Sequence, residues 1–213
     1  MLFNSFKKVV LVSLIVLLGT FSSYGQEKWY TLASGDWDDP MLWTKDPSGA
    51  LPNNPDNYTP STSPTSASDE VYILSGRTIT VISNNKTNAK LEVSGRIEFN
   101  ATTGHTFTTI RGGGKIILKE DNFPAGDATH FITKDQGEGT VVFDSANYDL
   151  ATAHSFFHVE VDLDNATDTL TLLANYQVSG NLILTQGILR INDNSSTTIL
   201  DLTVDGNVNV ANE

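Results

Sequence analysis

The sequence contains no cysteine. Disulfides, thiolate metal sites and a cysteine nucleophile are therefore excluded, and stability must come from packing and hydrogen bonds. Basic residues are scarce: 13 Lys and Arg stand against 25 Asp and Glu, a formal net charge of -12. Such a surface repels phosphate backbones and anionic lipid, which argues against nucleic-acid binding. Long hydrophobic runs are missing too. The one extended apolar stretch, Val9 to Leu18, holds ten residues and is broken by Ser13, too short for a bilayer core of about 30 Å. Beyond residue 25 no segment keeps an amphipathic helical period, because Gly, Asn and Asp interrupt the apolar pattern too often. No nucleophile elbow, Gly-rich phosphate loop or His-Glu-x-x-His phrase occurs. The sequence thus assigns no catalytic residue, no cofactor and no metal.

What is present begins with a processing signal. Lys7 and Lys8 precede the apolar run, and the small residues Ser23 and Gly25 stand at -3 and -1 of a cleavage before Gln26. Residues 1–25 read as a secretory signal peptide, with no membrane insertion expected after its removal. Taking Lys7 and Lys8 from the 13 basic residues leaves 11 against 25 acidic ones.

All three tryptophans, Trp29, Trp37 and Trp43, fall within residues 26–43. Large aromatic anchors in a turn-rich stretch suit a structural cap over the open end of a sheet stack. Stacking on sugar rings is the alternative use. Residues 44–69 hold five of the seven prolines amid Ser, Thr and Asn and read as a long loop or linker.

From residue 70 onward the sequence is strand and turn. A glycine followed by two apolar residues at alternate positions recurs: Gly95/Ile97/Phe99, Gly114/Ile116/Leu118, Gly139/Val141/Phe143, Gly180/Leu182/Leu184, Gly187/Leu189/Ile191 and Gly206/Val208/Val210. Period-two alternation marks strands with one buried face, and the glycines mark turns. Gly76, Gly95 and Gly114 are 19 apart in succession, as are Gly187 and Gly206. Whole units recur as well, since Leu91-x-Val93, Tyr176-x-Val178 and Leu202-x-Val204 each run into such a glycine. Repetition at this period predicts an all-β fold, a right-handed parallel β-helix of about 19 to 25 residues per coil over residues 70–213. Gly76 departs from the phrase, because Thr78 and Thr80 stand where apolar residues are expected, which implies a bulge or an altered first rung. Between Gly114 and Gly139 the interval leaves Lys119 to Gln136 for an excursion loop. An antiparallel β-sandwich is the competing architecture, although it has no reason to repeat one phrase in one register. Val208 and Val210 keep the ladder pattern almost to Glu213, so the rest of a longer chain is the expected partner of this end.

Two clusters invite a metal reading. His154 and His158 on one strand would stand about 13 Å apart, too far for one ion. Asp162, Asp164 and Asp168 surround Asn165 without the EF-hand phrase, and read as solvated turn acids.

Ser34-Gly-x-Trp37, Trp43, the proline-rich stretch and Asp69-Glu-Val71-x-Ile73-x-x-Gly76-x-Thr78-Ile-Thr80-Val resemble the N-terminal region of large secreted surface proteins of Bacteroidetes. The part from Asp69 onward is also similar to the eight-glycine domain of extracellular animal proteins. The resemblance implies cargo of the type IX secretion system and an extracellular scaffold, adhesive in several relatives. Asp144-Ser145-Ala146 and Asp168-Thr169-Leu170 match the Asp-Ser/Thr-apolar pattern used for O-glycosylation in that group, making Ser145 and Thr169 candidate acceptors. The expected function is a non-catalytic structural or adhesive segment of a cell-surface protein, with a glycan or surface molecule as possible partner. The alternatives are the N-terminal part of a β-helix polysaccharide lyase or glycoside hydrolase, and a carbohydrate-binding module with tryptophans exposed in a row.

Overall fold

Each Gly-x-Φ-x-Φ phrase sends two side chains to one face of a strand and leaves the others on the opposite face. Stacking such phrases lets every strand hydrogen-bond to the coils above and below it. The computed structural model, which describes residues 26–50, 62–132, 138–192 and 199–211, is a β-solenoid of about six turns with successive turns about 20 residues apart. Residues 1–25, on which the signal-peptide expectation falls, Gly25 included, lie outside the described residues. Every strand pairing among the described residues is parallel except one, so the sandwich alternative is set aside.

One sheet forms a spine along the whole solenoid. Its strands lie in the order β2 (Gly35–Asp36), β5 (Thr78–Val81), β7 (Arg96–Phe99), β9 (Lys115–Leu118), β11 (Thr140–Phe143), β14 (His158–Asp162), β17 (Leu182–Gln186) and β20 (Val208–Val210). A second sheet backs its N-terminal half, in the order β10 (Ala125–Asp127), β8 (Thr106–Arg111), β6 (Thr87–Val93), β4 (Glu70–Ile73), β1 (Lys28–Thr31) and β3 (Trp43–Thr44). Beyond residue 147 two short sheets take its place. The shoulder sheet holds β12 (Tyr148–Leu150), β15 (Thr169–Leu172) and β18 (Ile188–Ile191); the other holds β13 (His154–Phe156), β16 (Tyr176–Val178) and β19 (Leu202–Val204). Coils therefore change from two strands to three along the axis.

The core is a set of ladders. In the spine, Ile79, Ile97, Ile116, Val141, Val159 and Leu182 stack in register. Beside them run Val81, Phe99, Leu118, Phe143 and Val161, all inward and buried. The ladders reach β20, where Val208 and Val210 are 59% and 61% exposed. Two spine positions on the opposite, outward face, Ile117 and Val142, are buried as well. Ion pairs of Lys119 with Glu98 and Asp144, and of Lys115 with Glu160, belong to the neighbouring strands and turns.

The corner before the spine sheet corrects the glycine reading. Equivalent positions are Arg77, Gly95, Gly114, Gly139, Phe157, Gly180 and Gly206, at intervals of 18, 19, 25, 18, 23 and 26 residues. Gly76 lies one residue ahead of that column, with φ +75 in the turn. Because Arg77 holds the column, Ile79 and Val81 fall into the ladder without a bulge. Gly187 belongs to a different corner, between β17 and β18, with φ +99 and against Leu163; its spacing of 19 from Gly206 is coincidental. The excursion after Lys119 contributes β10 and a one-turn helix α1 (Thr129–Ile132) that carries the buried Phe131 into the core.

The N-terminal end is closed by the tryptophans. Strand β3 pairs antiparallel with β1, and Trp29, Trp37 and Trp43 are all buried. The rings of Trp37 and Trp43 meet edge to face at 5.2 Å. Each indole N–H has an acceptor: Trp29 donates to Asp69 Oδ2 at 3.0 Å, Trp37 to the Pro64 carbonyl at 3.3 Å and Trp43 to the Trp37 carbonyl at 2.9 Å. Burial removes them as a sugar-stacking row. It also redraws the boundary of the proline-rich stretch. Thr44 is in β3, and Ser63, Pro64 and Asp69 are buried against the cap; residues 51–61 lie outside the described set.

Candidate functional site: a polar groove beside the third strand

The chemistry left over after coil stacking gathers on the outer face of β13, β16 and β19. Their inward residues form the ladders His154–Tyr176–Leu202 and Phe156–Val178–Val204, and between them Ser155, Gln177 and Thr203 point outward in register. Parallel strand spacing puts these three side chains about 4.8 Å apart along the axis. All three are exposed, and none makes a side-chain hydrogen bond to a described residue. They line a groove of ≈ 470 Å³ together with Ala153, Asn175 and Asp201.

A second hollow of ≈ 350 Å³ shares Ala153, His154 and Ser155 with the first and continues to Phe123, Pro124 and Ile132. The excursion loop is its wall. The two hollows adjoin at these shared residues, the first polar toward β19 and the second aromatic-walled toward β10. Phe123 lies 5.1 Å from Phe156 and 6.2 Å from His154, whose ring stacks on Phe156 at 5.2 Å.

At the junction Asp121 fixes His154. Its Oδ1 lies 3.2 Å from His154 Nε2, and its Oδ2 accepts the Thr152 N–H at 3.1 Å. Behind His154, the hydroxyls of Tyr148 and Tyr176 are buried with no hydrogen-bond partner among the described residues. Burial pushes both phenols up from their ordinary value. Nearby negative charge, Asp121 in both cases, adds to the rise. Asn175 orders the rim, its Oδ1 accepting the Asp201 N–H at 3.0 Å.

The other outward faces differ. In the shoulder sheet the equivalent ladder is Asp149–Thr171–Arg190. In the N-terminal sheet it is Tyr30–Tyr72–Glu92–Arg111, where the two tyrosine rings stack at 4.7 Å and Lys90 stands over Tyr72 at 4.8 Å. The N-terminal face spends rings and charges on each other, Lys90 also pairing with Glu92 at 2.8 Å, and the shoulder ladder carries charges of both signs instead of neutral groups.

The residues singled out from sequence fall elsewhere. His154 and His158 do not share a strand: a corner at Phe157 separates β13 from β14. His158 Nδ1 accepts the Asn181 N–H at 2.9 Å from the next coil. Asp168 is not a solvated turn acid; it is 8% exposed and accepts from Asn165 at 2.8 Å and Asn147 at 3.1 Å. Asp162 and Asp164 do not join it in a metal cluster, and no group of three or more His, Asp or Glu able to hold an ion exists among the described residues. Ser145 and Thr169 are half-buried. Gln26 is exposed and donates to Glu70 Oε1 at 2.6 Å. Sequence reasoning passed over Ser155, Gln177 and Thr203. The signal was there, because Gln177 and Thr203 are the middle residues of the Tyr176-x-Val178 and Leu202-x-Val204 phrases.

Fold and groove together define a β-solenoid with a closed aromatic end and one face of unspent neutral polar groups. Compared with family models, curated proteins and solved structures, the chain matches none.

Proposed function

We propose that this chain is a non-catalytic structural and adhesive segment of a secreted cell-surface protein, holding its contact groove on a stiff rod of stacked coils. One observation carries the reading. Ser155, Gln177 and Thr203 stand in register along one groove, make no side-chain hydrogen bond to a described residue, and so keep their capacity for a partner. The acidic, disulfide-free composition suits an exported scaffold, and the resemblance to secreted surface proteins of Bacteroidetes points the same way. Ser145 and Thr169 are the candidate positions for O-glycosylation. Protease shaving of intact producing cells, followed by peptide mass analysis, tests the location: release of peptides from residues 26–213 supports it, and retention inside the cell overturns it. An intact mass equal to the bare polypeptide overturns the modification.

A second reading, a polysaccharide-cleaving enzyme, has one observation in its favour. The Asp121–His154 pair borders the groove, and a carboxylate-oriented imidazole is the arrangement of a general base. Release of shortened products from a polysaccharide, abolished by His154→Ala, would support it over the first.

A further inference from the structure

Resting on the reading of this face as the contact surface, we infer that the groove over β13, β16 and β19 binds a neutral oligosaccharide, laid along the solenoid axis with its sugar hydroxyls on the Ser155–Gln177–Thr203 ladder. Four features select this ligand class.

First, the donors and acceptors are uncharged. Two hydroxyls and an amide stand in register, one per coil, about 10 Å from first to last. A ligand with polar groups at regular intervals along its length meets all three at once. Each of these side chains both donates and accepts, as a sugar hydroxyl does.

Second, no lysine or arginine lines either hollow, and the carboxylate at the rim is Asp201. The protein carries far more acidic than basic residues. A phosphate, sulfate or uronate chain would meet repulsion with nothing to offset it. A carboxylate beside neutral hydroxyls instead accepts hydrogen bonds from them, and such charge-assisted bonds are the stronger kind.

Third, the hollow adjoining the groove is aromatic-walled. Phe123 and His154 are only half-buried there, and they give the apolar C–H face of a sugar ring a surface to rest on. A purely polar ligand would leave that hollow unused.

Fourth, the middle of the groove offers an extended peptide no backbone groups. Peptide recognition by sheets draws on unpaired backbone groups, and those of β16 are taken by β13 and β19. Over β16 the groove offers side chains only, and the sheet's edges lie at its two ends, β13 and β19.

The test uses the mature full chain, residues 26–213, in titration calorimetry against hexasaccharides of glucose, mannose and N-acetylglucosamine, with a galacturonate hexasaccharide as the anionic probe. Binding of at least one neutral hexasaccharide, with the galacturonate chain bound at least tenfold more weakly, is the expected result. Ser155→Ala, Gln177→Ala and Thr203→Val should each weaken binding about fivefold, and the triple variant should abolish it. Arg190→Ala, on the neighbouring shoulder sheet, should leave it unchanged. Because the three ladder residues are exposed, unchanged circular dichroism and melting will show that the variants fold. No neutral hexasaccharide bound at millimolar concentration overturns the inference, as does binding that survives the triple variant or is tightest for the galacturonate chain. Cleavage of the bound sugar would sink the non-catalytic reading while supporting the ligand class. Failure of cell-surface shaving would sink the location and leave the groove chemistry standing.

Discussion

Gly114 sits directly over Gly95 in the corner column, so close that a Cβ built on it would stand 2.2 Å from the Gly95 carbonyl oxygen and 2.8 Å from that of Val93. The Gly114 N–H donates to that Val93 carbonyl at 2.8 Å. Coil spacing is fixed by the hydrogen bonds on either side, so neither backbone can retreat far. Gly114→Ala should therefore cost ~3 kcal/mol, in the range of overpacked interiors. Gly113→Ala, one residue away, meets nothing within 4 Å and should stay within about 0.5 kcal/mol of the parent. Urea unfolding of the two variants decides it, and equal losses would disprove the close-approach account.

The tryptophan cap should be worth more than any single rung. Trp37 is fully buried between Trp43 and Phe107, at 5.2 and 6.3 Å. Trp37→Ala should cost about 3–5 kcal/mol. Trp29→Phe tests a different term, since it keeps most of the volume but removes one of the two N–H groups, with that of Ser66, that Asp69 Oδ2 accepts. The expected loss is about 1–3 kcal/mol. A Trp29→Phe loss equal to that of Trp37→Ala would show that packing at this site, rather than the hydrogen bond, sets the cost. Chemical denaturation followed by tryptophan fluorescence measures both.

Period-two alternation made the solenoid legible, because inward positions must be apolar in every coil for the ladders to close. The groove was not legible for the same reason inverted: an outward residue between two apolar ones is constrained by nothing in its own strand. Whether Gln177 faces a groove or bulk water depends on how the corner residues Ala153, Asn175 and Asp201 of three successive coils border it. Gly76 misled because turns of different length can place a glycine beside the column instead of in it. Phe157 was missed because a column position can be filled by any residue whose side chain finds room. Asp168 looked like a turn acid, and only the folded coil shows Asn147 arriving from the previous turn to bond it.

His105 should make the solenoid acid-sensitive. Its Nδ1 accepts the Lys86 N–H at 3.2 Å, its Nε2 lies 3.0 Å from Thr102 Oγ1, and its ring packs on Phe99 at 4.8 Å. Burial holds its pKa below the ordinary histidine value; the Thr102 contact opposes this, and the Lys86 ammonium lowers it further. The folded state therefore prefers the neutral ring. That contribution is complete above the unfolded value of about 6.5 and is lost as pH falls below it through the depressed folded value. The melting temperature should drop between about pH 7 and pH 5. His105→Gln, which cannot gain a proton, should flatten that part of the profile; an unchanged slope would assign the sensitivity to other groups.

Tyr176 offers a test of what lies behind the groove. Its ring lies 5.9 Å from that of His154, and its hydroxyl is buried without a hydrogen-bond partner among the described residues. A buried hydroxyl that makes no bond contributes only its desolvation cost. Removing the oxygen should thus be neutral or raise stability by about 1 kcal/mol, an unusual direction for a core substitution. Tyr176→Phe also leaves the ladder of Ser155, Gln177 and Thr203 untouched, so sugar binding should survive it. Thermal unfolding and calorimetry on the same variant separate the possibilities. A loss of stability would mean that the hydroxyl has a partner in solution. A loss of binding at unchanged stability would mean that this partner is the ligand, and that the groove reaches one layer deeper than its outer ladder.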